Sequence, residues 1–515
     1  MKKLILFFAS ALLVTSASSQ VTWSADVAAI MFEKCTSCHR PNGVGPFSLL
    51  TYEDASNNAS DIDEVVLSGY MPPWHANNDY QSYSHTRSLS SEEIVALVEW
   101  VNSGTLEGNL DEAPPAPVYP VDGFLSAIPD LEVQIPEYTS QASNWSDDYV
   151  CFALPLGLTE DKKLRAYEVI PGNSQIVHHA LCYIDPDGSY STDLSGYCAG
   201  PTEGLIGGYT PGAIPTIFPS DGIDLNMGVT VPAGSSLIIA MHFPEGSAGE
   251  TDDTKVRLYF YEDDIDIREI STDPIIQNWS FNLPPGQITP VNAQYNVGNT
   301  DISVLSAFPH MHLLGKDIRS YAIGPDNDTI PLIDIPHWDF EWQQFYFFEN
   351  IQRLPAGSTF YGEGHFNNTS SNPHNPNDPP ISVGPGLNTS DEMFLIYFHY
   401  LAYQEGDELL DMEELTSLPT FVEEHNPSLS LDVNTYPNPF TESVTLSLAY
   451  EKSALASLYI YSGQGKLITK LAERQNIPAG TTQWTWTPEA SIEAGIYYYS
   501  LIVDGEAQSG MIQLK

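Results

Sequence analysis

The sequence predicts a mainly β chain: two tandem antiparallel β-sandwiches, jelly-roll-like, with a small α-helical domain before them and an Ig-like β-sandwich after them. Three observations predict it. Between about 121 and 410, short alternating or apolar runs recur between Pro, Gly, Asn and Asp turns, at 236–242, 256–261, 302–307, 358–365 and 393–400. Regular short runs of this kind are antiparallel strands with one face buried, and nearly 290 residues is enough for two sandwiches. Ahead of them the apolar period is helical. Behind them, from about 429, strand runs continue without cysteine or methionine–histidine chemistry.

In chain order, residues 1–20 read as a signal peptide, with Lys2-Lys3, an apolar run from Leu4 to Val14 and small residues to Ser19. That run is too short to span a bilayer comfortably, and no later stretch reaches 18 unbroken apolar residues, so no transmembrane segment is expected. Residues 21–110 form the helical domain. Ala25 to Phe32 is helix-periodic, and Ser90 with Glu93 makes a capping box for a helix ended by Gly104. Residues 111–124, with Ala113-Pro-Pro-Ala-Pro-Val-Tyr-Pro120, form a stiff linker. The two sandwiches take 125–275 and 276–412, a second linker 413–429, and the last module 430–515.

The formal charge is −48, from 67 acidic and 19 basic residues. Such a field repels nucleic acid and anionic membranes and suits solubility in a salty exterior. Cys35-Thr-Ser-Cys-His39 is the one motif of covalent cofactor chemistry: two thiols two residues apart form thioethers, and the next histidine lies below a haem iron. Met71, in Gly69-Tyr-Met-Pro-Pro-Trp-His75, offers a second axial ligand, with His75 as the competing candidate. The prolines force an extended loop. This stretch resembles small exported cytochrome c domains over about 22–105, which implies a c-type haem.

The second chemical feature is a set of histidines and one methionine. His310 and His312 share a face if they lie on a strand. His178 and His179 are adjacent, and both can reach one metal only if the backbone bends. His242 stands in Ala240-Met-His-Phe, and Met393 in Thr389-Ser-Asp-Glu-Met. Imidazole and thioether donors select copper over calcium or magnesium. The remaining histidines, His85, His337, His365, His374, His399 and His425, read as ordinary hydrogen-bonding residues, although His365 and His374 could line an open metal site.

In this order, over about 125–410, the set resembles the copper type II, ascorbate-dependent monooxygenases, the family of peptidylglycine and dopamine hydroxylases. The resemblance implies two copper ions. His178, His179 and His242 would hold the electron-transfer copper. His310, His312 and Met393 would hold the copper that meets dioxygen, with Tyr397 facing substrate. Two departures bear on substrate. Phe308 stands where peptide-amidating members carry a basic carboxylate anchor, and Ala240 where the family has a polar side chain, so an apolar or aromatic substrate fits better than a carboxylate.

Five cysteines leave three beyond the haem motif. Cys151 and Cys198 resemble a disulfide pair of bacterial relatives, leaving Cys182 free; Cys182–Cys198 is the competing pairing. Thr435-Tyr-Pro-Asn-Pro-Phe440, Leu458-Tyr-Ile-Tyr461 with Gly463-Gln-Gly465, Gly495-Ile-Tyr-Tyr-Tyr-Ser500 and Ile512-Gln-Leu-Lys515 resemble the C-terminal sorting module of type IX secretion. That implies export, as a secreted or cell-surface protein, across the outer membrane of a Bacteroidota-like bacterium. The expectation is therefore a secreted copper monooxygenase that hydroxylates a C–H bond of a small organic substrate with dioxygen, its electrons coming from an external donor through the haem. The alternatives are a non-catalytic haem/copper relay or copper-binding protein, and an adhesive protein that keeps only the scaffold. Six intact ligand residues argue against the last.

Overall fold

The computed structural model describes residues 20–416 except 121, 126, 144, 145 and 199, and residues 432–515 except 451, 463–466, 489–491, 493, 504 and 505. The expected signal peptide, most of the 413–429 linker, Gly463-Gln-Gly465 and His425 lie outside the described residues. No helix among the described residues is long and apolar enough to cross a membrane. The chain divides into two compact units: residues up to Trp74 with Arg87–Pro117, and His75–Thr86 with Val118–Lys515.

The first unit is helical. A π-turn, Trp23–Val27, is capped by Thr22, whose hydroxyl accepts from the Ala25 N–H, and runs into helix α1, Ala28–Lys34. Helices α2 (Tyr52–Asn57), α3 (Ala59–Leu67) and α4 (Ser91–Asn102) follow. The capping box at Ser90 and Glu93 is formed from both sides, and Gly104, at φ +90°, takes the left-handed turn that ends α4. Trp23, Val27, Met31, Ile62, Val66, Leu97 and Trp100 make its core.

The stretch His75–Thr86, which the sequence reading counted with the helical domain, packs with the second unit instead. Its backbone finds its hydrogen bonds there: Asn77 N–H donates to Asp334 O (2.8 Å), Ser84 N–H to Phe347 O (2.9 Å), and Glu349 N–H to Ser82 O (3.0 Å). Tyr83 is buried against Tyr346 and Phe348, with ring centroids 5.7 and 6.0 Å away.

The second unit is built of sheets. Leu131–Gln134, Lys255–Phe260, Lys162–Ile170, Met227–Val231 and Arg268–Glu269 form one, with Thr216–Ile217 beside Lys162–Ile170. Asp193–Gly196, Asp148–Pro155, Ser236–Phe243, His179–Asp185 and Leu205–Tyr209 form another. Inward residues of both, such as Leu164, Tyr167, Val256 and Leu258 from the first and Val150, Phe152, Leu237 and Ile239 from the second, share one apolar core. Two four-stranded sheets follow. One runs Ser271–Gln277, Leu395–Ala402, Ile302–His310, Tyr346–Leu354; the other runs Gln287–Asn296, Thr359–Asn368, Gly315–Ile323, Thr329–Ile335. Leu305, Ile351 and Leu401 of these later strands belong to the same core as Val150 and Ile239, so the two halves meet through packed apolar side chains.

Cys151 and Cys198 are joined by a disulfide, and Cys182 is a buried free thiol. The tail adds a three-stranded sheet (Asp432–Tyr436, Val444–Tyr450, Gly480–Trp486) and a four-stranded one (Leu467–Ile477, Ala454–Ser462, Gly495–Val503, Glu506–Leu514) around a core of their own. Phe440 of the Tyr-Pro-Asn-Pro-Phe segment is buried there and pairs its backbone with Gln513 and Lys515.

A buried ion pair ties the halves of the second unit. Arg268 donates two 2.7 Å bonds to Asp407, which also accepts from the Ser303 hydroxyl at 2.6 Å. Burial alone would raise the Asp407 carboxyl; the Arg268 and Ser303 hydrogen bonds outweigh it and hold the group below the usual carboxylate range. A depressed folded pKa stabilises the fold above the unfolded value of about 4, and that stability is lost as pH falls through the folded value. Arg268→Ala should therefore lower stability at pH 7 by about 3–5 kcal/mol. It should also flatten the acid side of a plot of melting temperature against pH.

Candidate metal centres

The first histidine set is placed by strand pairing. Strand Ser236–Phe243, buried along its whole length, pairs antiparallel with His179–Asp185 so that His242 stands directly opposite His179. His178 lies just outside the strand, after a turn at 174–176, and donates its backbone N–H to His242 O at 3.1 Å. Strand alternation therefore does not force His178 and His179 apart. The Nδ1 atoms converge: His179 Nδ1 is 3.1 Å from His178 Nδ1 and 3.3 Å from His242 Nδ1. Among the described residues, this is the group of three or more His, Cys, Asp and Glu side chains whose donor atoms could hold a metal ion.

The donors suit such an ion. Burial, reinforced by the neighbouring His242, pushes His178 down to about 3 and His179 well below the ordinary imidazole range. Both are therefore neutral and offer lone pairs. Two Nδ1 atoms can share one proton at most, so three facing one another leave a cavity of electron density that a cation relieves. Asp147 Oδ1 stands 3.3 Å from His242 Nε2, on the far side of the ring from the cluster. Burial pulls the Asp147 carboxyl up, but hydrogen bonding to His242 and Thr389 holds it down to about 2. A carboxylate behind a ligating imidazole fixes its tautomer and raises its basicity. The Tyr149 ring stacks on His242 at 4.3 Å and 6°.

The second set uses the opposite ring nitrogens. The strand Ile302–His310 ends at His310, so His312 lies beyond it and shared-strand alternation does not apply; the two rings nevertheless meet at 5.1 Å, almost perpendicular. His310 Nδ1 bonds Gln343 Oε1 at 2.6 Å, and His312 Nδ1 bonds the Asp391 carbonyl at 3.1 Å. With Nδ1 occupied in both, Nε2 is the lone pair left for a metal. Burial pushes His310 down to about 4 and His312 to about 3.

Met393 comes to this set through strand pairing and Glu392. His310 pairs with Leu395 at the end of the ladder, and beyond it one carboxylate oxygen of Glu392 accepts the backbone N–H of both His312 and Met393, which holds the two residues together. Glu392 fastens the junction. Its fully buried carboxylate accepts the backbone N–H of His312 (2.9 Å), Leu314 (2.6 Å) and Met393 (3.2 Å). Burial pushes this carboxyl up to about 8 against the pull of those three donors.

Tyr397 pairs with Phe308 across the same ladder, their rings 5.9 Å apart, and also packs against the cluster containing the Cys151–Cys198 disulfide. Phe308 lies 6.4 Å from His310 and stacks on Phe345 at 4.8 Å, so the position of the missing anchor is an apolar wall. The other histidines have ordinary partners. His399 bonds Ser306 Oγ (2.7 Å) and Ile206 O (3.3 Å); His365 pairs with Asp317 (2.6 Å); His85 contacts Glu413 and Thr416; His374 is exposed.

The haem motif lies in the first unit. After α1, Cys38 and His39 N–H both donate to Cys35 O. His39 Nδ1 is 3.1 Å from Phe47 O, which leaves Nε2 for an iron, and burial lowers its pKa so that it is neutral. A Cβ at Gly45 would come within 2.9 Å of the His39 ring, so glycine is required for this approach. Neither motif cysteine is in a disulfide, and both are half-buried. This donor set fits a thioether-linked haem. Met71 lies in the same unit, whereas His75 packs with the second, 3.9 Å from Asp339.

Sequence reasoning missed Asp147, Phe340, Gln343 and the role of Glu392. None belongs to a motif; Glu392 alone carried a signal, as the acid adjoining Met393.

Comparison with known proteins agrees with the two-part chemistry. Residues 286–415 match the model of the copper type II ascorbate-dependent monooxygenase C-terminal domain, and residues 24–105 match that of cytochrome c. Together they support a copper/haem redox enzyme, an oxidoreductase of the monooxygenase type. No curated protein matches the chain significantly. Among solved structures, the infectious bursal disease virus VP2 subviral particle is similar at 9% identity and TM-score 0.16, covering 56% of this chain and 76% of that one. A marsupial T cell receptor is similar at 9% identity and TM-score 0.12, covering 74% of this chain and all of its own. Neither likeness bears on fold or function.

Glu392→Ala would leave three buried N–H groups without an acceptor, each costing about 1–3 kcal/mol. It should lower the melting temperature and weaken Cu(I) binding at the second set by roughly 10–100-fold. Binding at His178, His179 and His242 should be unchanged in competition with a chromogenic Cu(I) chelator.

Proposed function

We propose that this chain is an exported copper monooxygenase with its own electron feed. His178, His179 and His242, whose Nδ1 atoms converge, would hold an electron-transfer copper. His310 and His312, each with Nδ1 already bonded, would hold with Met393 the copper that meets dioxygen. The observation that carries the reading is the donor arrangement: two sets converging on opposite ring nitrogens, with a protein acceptor behind His242, His310 and His312. Bound copper supplies one-electron transfer and activation of dioxygen, and the soft thioether favours the reduced ion.

The chain's own residues do the rest. Gln343 and the Asp391 carbonyl keep the His310 and His312 rings turned so that Nε2 is the free donor. Phe308, Phe345 and Tyr397 line the neighbourhood of His310 with aromatic surface, which favours a small apolar or aromatic substrate and offers a carboxylate no cation. In the overall balance, one oxygen atom enters the C–H bond, and the other leaves as water with two electrons and two protons. Ascorbate or another external donor would supply those electrons, and a haem held by Cys35, Cys38, His39 and Met71 would supply one-electron transfer. The module at 430–515 directs secretion by the type IX route.

Met393→Ala should abolish reductant-driven oxygen consumption by more than roughly 100-fold, beyond the usual effect of an outer-shell change, while the haem spectrum stays intact. Two bound coppers with no oxygen uptake across varied apolar substrates would favour the relay instead. In stopped-flow mixing, reduced haem should reoxidise when Cu(II) is present; a haem that stays reduced rules out the internal feed. Deleting 430–515 should strand the protein in the periplasm.

A further inference from the structure

We propose that the two ligand sets form one closed chamber, in which an ion held by His178, His179 and His242 and an ion held by His310, His312 and Met393 sense each other directly. The inference rests on the copper reading above and adds an arrangement to it.

Three observations carry it. First, the sets share a wall. The His179 and His310 ring centroids are 6.4 Å apart, edge to face at 79°. Phe340 completes that wall, stacked on His178 at 4.8 Å and 23° while meeting His312 edge-on at 5.9 Å. Second, one carboxylate serves both sets. Asp147 faces His242 Nε2 with Oδ1 and accepts the Thr389 N–H with Oδ2 at 3.3 Å, and Thr389 opens the segment that ends in Glu392 and Met393. Tyr149, stacked on His242, reaches the Thr389 hydroxyl at 3.5 Å.

Third, the arrangement is held shut. Leu305, Ile351 and Leu401 sit in one apolar core with Val150, Leu237 and Ile239, and separating the halves would return that surface to water. Buried hydrogen bonds cross the same boundary: the Thr210 hydroxyl donates to Gln343 O, and His399 Nε2 faces Ile206 O at 3.3 Å. Gln343 is the residue whose side chain orients His310, so the boundary bond and the second ligand set belong to one network. An electron passing between the sets therefore needs neither bulk water nor bound substrate as its bridge.

The test is electron paramagnetic resonance of the full chain loaded with Cu(II), with copper counted independently. The expected result is two coppers per chain, mutually broadened signals, and a half-field transition. His310→Ala, and separately His242→Ala, should lose the half-field transition and return the sharp spectrum of a single type II centre. A wild-type spectrum equal to the sum of the two single-site spectra, with two coppers bound and no half-field feature, would overturn the chamber and leave the copper reading standing. Fewer than two coppers in the wild-type protein would overturn both. The half-field measurement on the wild type needs no variant to fold.

Discussion

Strand register is the constraint on which the chemistry of the second unit depends. His242 meets His179 because Ser236–Phe243 pairs with His179–Asp185 at one offset, and His310 stands beside Leu395, two residues after Met393, because Ile302–His310 pairs with Leu395–Ala402 at one offset. Side chains alternate across a sheet, so a slip of one residue would turn each ligand to the opposite face. What holds the offsets is burial. Every residue of Ser236–Phe243 is buried, and nearly all of Ile302–His310 is, so a slip would drive apolar side chains out of the core together with the ligand. Packing and metal ligation are thereby made to agree.

Burial also sets the protonation of the ligands. Burial drives the pKa values of His178, His179, His310 and His312 well down, and neutral rings are what a metal requires. Burying so many polar groups is costly unless each finds a partner. The fold answers with single acceptors placed behind the rings: Gln343, the Asp391 carbonyl and Asp147. Glu392 plays the same part for the backbone, gathering three donors that the end of a strand would otherwise leave unpaired.

Much of this was legible before any fold was known. Periodicity predicted the strands around His242, His310 and Tyr397 to within a few residues, and Ser90 with Glu93 announced the start of α4. The ligand residues stood out because histidine pairs and a late methionine are chemically unusual together. The rest was hidden for physical reasons. Asp147, Phe340 and Gln343 reach the sets from loops and strand ends, where no period applies and where an acid, an aromatic or an amide is commonplace. Adjacency of His178 and His179 seemed to demand a bent strand, whereas the strand simply begins at His179. That Leu305, Ile351 and Leu401 join the core of the first half could not be read from either half alone.

The path of the chain through His75–Thr86 has a consequence for how such a protein can be inherited. This segment lies between Met71 and α4 in sequence, yet its backbone bonds and Tyr83 belong to the second unit. The helical segment is therefore not a bead that recombination can add or remove at one seam. A crossover at the proline-rich stretch near 113–120 would carry Tyr83 away from Phe348 and leave Asp334 and Phe347 without their backbone partners. The two units are interleaved in sequence, so a substitution within 75–86 alters the second unit from inside the span of the first.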